Sequence, residues 1–212
     1  MLKVAAALVA GVVAMGGWAV VTVKDLPEYF IAGQQYTLEF QVRQHGRTLL
    51  SGLRPQLVID SPGAREVVIP AVARSAEGTY AVTFTAPPLA AGEVRFTIRS
   101  GFMNNELRLY PQPVIAAGTS RPAMAARDRG QVLFVAKGCN TCHSNIDLAD
   151  RPDNQLVTVG PELGGRHLAR EYVIQKVKNP ASEKMPDLGL TDAEANAIAA
   201  LLNGERGALS GR

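Results

Sequence analysis

The only two cysteines of this 212-residue chain, Cys139 and Cys142, sit three positions apart, and His143 follows the second. Cys139-Asn140-Thr141-Cys142-His143 is therefore a C-x-x-C-H run. At this spacing two thiols reach the two vinyl groups of one porphyrin and form thioethers, and the next residue sets an imidazole nitrogen on the iron. Three other chemistries use parts of the same run. A thioredoxin-like dithiol also needs C-x-x-C, but in a βαβ setting, and the flanks here read as helical. A zinc site needs four ligands, for which His143 and His167 would have to join the sulfurs. A structural disulfide across two residues would be strained and would give His143 no purpose. The run favours one covalently held haem c over these three.

The elements that must position such a group are legible on both sides. Upstream, residues 125–136 are good helix formers with Val132 and Leu133 among the apolar positions, and Gly138 stands where a helix commonly ends in a left-handed residue. Downstream, residues 167–178 read as a second helix, stopped by Asn179-Pro180. Thr191 and Glu194 have the spacing of a capping box, and Ala195, Ile198, Leu201 and Leu202 form one apolar stripe ended by Gly204.

Over roughly residues 121–207 the chain resembles the class I cytochrome c family. Gly130 and Phe134 match the family's N-terminal helix, where the glycine permits a close crossing with the C-terminal helix. Cys139, Cys142 and His143 match the attachment site, Val159-Gly160-Pro161-Glu162-Leu163 the G-P-x-L loop, and Asn179-Pro180 with Lys184-Met185-Pro186 the segment that presents the distal ligand. The resemblance implies His143 and Met185 as the two axial ligands, with the Pro161 carbonyl holding the other nitrogen of His143. His167 is the alternative sixth ligand, and Tyr172 is expected on the haem side of its helix or in the core. The polar, Asp-containing stretch 145–157 departs from the family pattern. With both axial positions filled by protein, the expected function is electron transfer and not catalysis. Lys137, Lys176, Lys178 and Lys184 are expected either to ring the exposed haem edge and steer an acidic partner or to form a solvated charged face.

Residues 26–115 alternate with period two. Tyr36, Leu38, Phe40 and Val42 share one face, as do Tyr80, Val82 and Phe84, and Val94, Phe96 and Ile98. Asp60-Ser61-Pro62-Gly63, Pro87-Pro88 and Gly92 mark turns. The pattern predicts an antiparallel, immunoglobulin-like sandwich. Ala32-Gly33-Gln34, the strand from Phe40 to Gly46 and Gly78-Thr79-Tyr80 resemble YtkA-like or FixH-like domains, which implies an exported sandwich and names no activity. His45 is the one residue here with metal-ligand character, and a lone histidine is an ordinary surface residue more often than a copper ligand.

Val4 to Val23 is uncharged for 20 residues, enough at about 1.5 Å per residue to cross a bilayer core, with Lys3 held in the cytoplasm. A signal peptide ending at Ala14-Met15-Gly16 is the rival reading. Either one exports the rest. The expected organisation is thus an anchor at 1–24, a sandwich at 25–115, a linker at 116–122 that lets the next domain move, and an all-α cytochrome domain at 123–212. The expected location is the periplasmic side of a bacterial inner membrane, with redox proteins of a respiratory or photosynthetic chain as partners and membership of a membrane complex. The charge excess, 22 basic against 19 acidic residues, is too small and scattered for nucleic-acid binding.

Overall fold

The computed structural model describes residues 17–180 and 185–205. Eleven strands lead: β1 (Ala19–Val23), β2 (Phe30–Ile31), β3 (Gln35–Gln44), β4 (Thr48–Leu49), β5 (Gln56–Asp60), β6 (Val67–Pro70), β7 (Val72–Ala73), β8 (Thr79–Thr85), β9 (Glu93–Arg99), β10 (Glu106–Arg108) and β11 (Gln112–Ile115). Four helices follow: α1 (Ala126–Ala136), the single turn α2 (Cys139–Cys142), α3 (Arg170–Lys178) and α4 (Asp192–Asn203).

The strands form two sheets, one ordered β1-β3-β8-β7 with β4 on β3, the other β2-β11-β9-β5-β6 with β10 on β9. All pairs are antiparallel except β2 with β11. The alternating residues do what their period demands: Phe40, Val42 and Val82 of one sheet and Val94, Phe96 and Ile98 of the other are buried in a common core. The predicted sandwich is present.

Its first strand corrects the N-terminal reading. Ala19 to Val23 pairs residue for residue with Gln44 to Phe40, and Val21 and Val23 join the sandwich core. Five residues assigned to a membrane span are thus a β-strand. They read Ala-Val-Val-Thr-Val, a composition that suits a buried strand as well as a bilayer, so hydropathy alone could not separate the two. No helix among the described residues is long and apolar enough to cross a membrane. Residues 1–16, which carry the rest of the apolar run, lie outside the described residues.

Gly130 lets α1 and α4 meet at backbone distance, since a Cβ there would overlap the Ala197 carbonyl oxygen. The second half of helix α1, Val132 to Ala136, is apolar and is buried on both sides. Val132, Val135 and Ala136 enter the sandwich core, while Leu133 and Phe134 enter the helical core with Val173, Ile198 and Leu201. The two domains are therefore joined through α1, and the expected free movement on a linker is not what the fold shows. Strand β11 runs up to the linker at Ile115, and beyond it the Met124 amide donates to Glu28 at 2.9 Å. Helix α3 starts at Arg170, later than predicted, because His167 adopts a left-handed backbone (φ 46°).

Candidate haem site

The attachment turn is built against the sandwich. Gly138 takes φ 76° at the end of α1, and a Cβ there would lie 2.5 Å from Val20 Cγ1 and 2.7 Å from the Val21 carbonyl oxygen. Thr22 Oγ1 donates to the Lys137 carbonyl at 3.3 Å. The left-handed glycine reverses the chain so that α2 starts one residue later and sets Cys139 against the helical core.

The α2 turn and the residues just after it are clasped by the segment from Val157 through the G-P-E-L loop. The amides of Val157, Gly160 and Leu163 donate to the carbonyls of Thr141, Cys142 and Ser144 at 2.8, 2.9 and 2.9 Å. His143 Nδ1 donates to the Pro161 carbonyl oxygen at 2.9 Å, since a carbonyl only accepts. The bond fixes the tautomer and leaves Nε2 free as a ligand atom. Gly160 lies flat against the ring, where a Cβ would overlap Cε1 and stand 2.5 Å from Nδ1.

Glu162 completes the clasp and was not singled out by the sequence. Its carboxylate accepts from Ser144 Oγ and, at 2.7 Å, from the Gly164 amide. The Ser144 hydroxyl and backbone amides, including that of Gly164, hold this carboxyl below the usual carboxylate range.

Apolar side chains lie exposed or half-buried in the segments that carry and clasp the attachment turn. Ile146 is 79% exposed, and Leu156 and Val159 are also exposed. Leu163, Leu168, Ile174, Met185 and Leu188 are half-buried on the helical core beside Cys139. Such an apolar lining beside two thiols and an oriented imidazole fits a porphyrin, which would cover it. Met185 is the methionine that packs in this core. Met124 packs against the sandwich, and Met103 is exposed there.

The other readings of the cysteines fit less well. Burial pushes the Cys139 thiol up to about 12, with Cys142 also raised by burial, so neither is the ready thiolate of a redox dithiol. No group of three or more His, Cys, Asp or Glu placed to hold a metal occurs among the described residues. His167 instead closes the end of α4, donating from Nδ1 to the Asn203 carbonyl at 3.2 Å, with its ring against Gly204. The His45 ring packs at a tilt of 53° against Trp18, with ring centroids 5.5 Å apart.

A family model described as Cytochrome C oxidase, cbb3-type, subunit III matches residues 125–202. These residues are a class I c-type cytochrome domain. The match begins at α1, takes in the C-x-x-C-H turn, the clasp and Met185, and ends within α4, so it covers none of the sandwich. Comparison with curated proteins gave no match. A cytochrome domain of this kind binds haem and transfers electrons.

Two expectations about side chains fail in the cytochrome domain. Lys137 is not at a haem edge: its Nζ is buried and lies 2.6 Å from Glu194 Oε1, the capping-box residue of α4. Tyr172 is half exposed, with Lys176 Nζ 5.7 Å from its ring centre, and so does not fill the core. Lys178 pairs with Asp192. Lys184 lies outside the described residues. The unassigned stretch 145–157 runs along the sandwich. Gln131 exchanges two hydrogen bonds with Ala149 (3.2 Å each), Tyr110 donates to the Ala149 carbonyl at 2.8 Å, and Asn154 pairs both ways with the Arg108 backbone.

Proposed function

We propose that this chain is an exported electron-transfer protein carrying one covalent haem c, and that it works as a fixed redox subunit of a membrane oxidoreductase complex. The observation that carries the haem reading is the His143 imidazole, oriented by Pro161 directly after the two cysteines, with Nε2 left free. Cys139 and Cys142 would hold the group through thioethers, His143 Nε2 and the Met185 sulfur would take the two axial positions, and the half-buried leucines would exclude water. When bound, haem supplies a one-electron Fe(III)/Fe(II) couple, and a methionine sulfur favours the reduced state. Two protein ligands leave no open position for a substrate, which supports a carrier and not an enzyme.

Docking of the cytochrome domain on the sandwich supports the fixed subunit over a tethered shuttle between complexes. The matching family is itself described as an oxidase subunit. For export, the described strand β1 favours the shorter reading. With Gly17 to Val23 accounted for, 13 uncharged residues remain from Val4 to Gly16, the length of a signal-peptide core and short of the roughly 20 residues of a span. The periplasmic side of the membrane follows from either reading, and a mature N-terminus near Gly17 is the expected result of mass measurement on the purified protein.

Absorbance spectra of the oxidised and reduced protein test the central claim. The expected outcome is a c-type reduced spectrum, pigment that stays with the chain under acid–organic extraction, and no change of the reduced spectrum on adding carbon monoxide. Pigment lost to the solvent would end the covalent reading. Carbon monoxide binding would favour a gas sensor, the reading that needs an open sixth position. Stable partners in mild detergent are expected for a fixed subunit, and their absence would return the protein to the shuttle reading. Copper binding abolished by His45→Ala is what a metal-handling protein would show instead.

A further inference from the structure

The sandwich and the segment that carries Met185 face each other across a polar cleft of about 490 Å³. Gln41 and Arg43 of β3 form one wall, and Asp187, Leu188, Lys137 and Glu194 form the other. Its lysines are already paired, Lys137 with Glu194 and Lys24 at the rim with Glu39.

Arg43 is different. It is only 8% exposed, an unusual place for a guanidinium on a sandwich strand. Its Nη2 donates to Gln41 Oε1 at 2.7 Å, but its Nη1 is buried with no hydrogen-bond partner. A desolvated cation with an unused donor costs free energy unless an opposite charge lies near. Asp187 lies on the opposite wall of the cleft, and its charge opposes the effect of burial on Arg43. Asp187 is two residues beyond Met185, and its Oδ1 accepts from the Gly189 amide at 2.9 Å, which shapes the strap that runs on to the Thr191 cap of α4.

We propose that Arg43 is a positioning residue for the sixth haem ligand: across the cleft it draws on Asp187 and so holds the Met185 strap closed over the iron. The inference rests on the reading of Met185 as that ligand. It gives the sandwich a role in the redox site, because a side chain of the β domain then keeps the axial methionine in place. Without this attraction the strap opens more often, and an external ligand competes more easily with the methionine sulfur.

The test is imidazole binding to the ferric, full-length holoprotein, followed by absorbance, together with the far-red band of methionine-ligated ferric haem. Arg43→Ala is expected to raise imidazole affinity about fivefold and to weaken the far-red band, the size set by the attraction of two opposite charges across a hydrated cleft. Asp187→Asn, which keeps the acceptor for Gly189, is expected to do the same. The double variant should do no more than either single change, and Arg43→Lys should restore most of the wild-type behaviour. Met185→Ala separates the two layers of the argument. If Met185→Ala abolishes the far-red band while Arg43→Ala and Asp187→Asn leave imidazole affinity unchanged, the positioning role is wrong and Met185 stands. If Met185→Ala leaves the band intact, the ligand reading falls and takes the positioning role with it. Should Arg43→Ala yield no holoprotein, Asp187→Asn carries the test alone.

Discussion

Gly160 shows how little freedom the ring of His143 has. A methyl group at this position would occupy the space of the imidazole, so Gly160→Ala must push the ring, the loop or both. The expected cost is about 1–3 kcal/mol, the usual range for overpacking, read from the denaturant midpoint of the holoprotein and accompanied by a disturbed axial-ligand spectrum. Glu162 makes a prediction in pH. Its folded-state carboxyl is held below the ordinary value of 4.5, so its contribution to stability is present above that value and is lost as pH falls through the lower folded value. The wild-type melting temperature should therefore fall more steeply below pH 4.5 than that of Glu162→Gln, and equal slopes would show that the carboxylate does not hold the clasp. His143 was legible in the sequence because the C-x-x-C-H run fixes residue types at set spacing, and its Pro161 acceptor was implied only by the resemblance carried by the G-P-x-L loop. Glu162 was not, because its partner Ser144 lies 18 positions away and nothing in either residue's local context marks the pair.

Lys137 belongs to the scale of helices. A lysine at a helix end reads as a solvated charge, and this one is buried because Gly138 turns the chain into the sandwich and α4 brings Glu194 across α1. The capping box did mark Glu194 as a residue held in place: its carboxylate accepts from the Thr191 amide at 3.1 Å while the Thr191 hydroxyl accepts from the Glu194 amide at 3.2 Å. What local pattern could not show is that the same carboxylate has a second oxygen available to a neighbouring helix. Glu194→Ala leaves the lysine buried without a partner and should cost about 3–5 kcal/mol, measured by chemical denaturation. Adding Lys137→Met removes the stranded charge, so the double variant should recover a large part of that loss. If the double variant is no more stable than Glu194→Ala, the pair is not the source of the cost, and the lost cap is.

At the scale of the molecule, the sequence divides cleanly into a period-two region and a helical region, and both halves fold as those periods demand. Their junction was less legible. The run Gln131-Val132-Leu133-Phe134-Val135-Ala136 has too few polar positions for a helix with one wet face, which is the signal that a second body must cover it, yet the Pro- and Gly-containing stretch before it suggests a free tether. The covering body is the sandwich, through Val132, Val135 and Ala136. A helix that supplies side chains to two cores ties their stabilities together, so unfolding should be one event and not two. Trp18, the only tryptophan, reports on the sandwich, and visible absorbance reports on the haem domain. The two signals are expected to change at one midpoint in a denaturant titration. Gly138→Ala forces alanine into a left-handed backbone, at about 1–2 kcal/mol before any clash with β1 is counted, and it should move both signals down together. A variant that shifts the visible transition while Trp18 stays at its wild-type midpoint would mean that α1 belongs to the cytochrome domain alone and that the contact with Val20 and Val21 does not couple the halves.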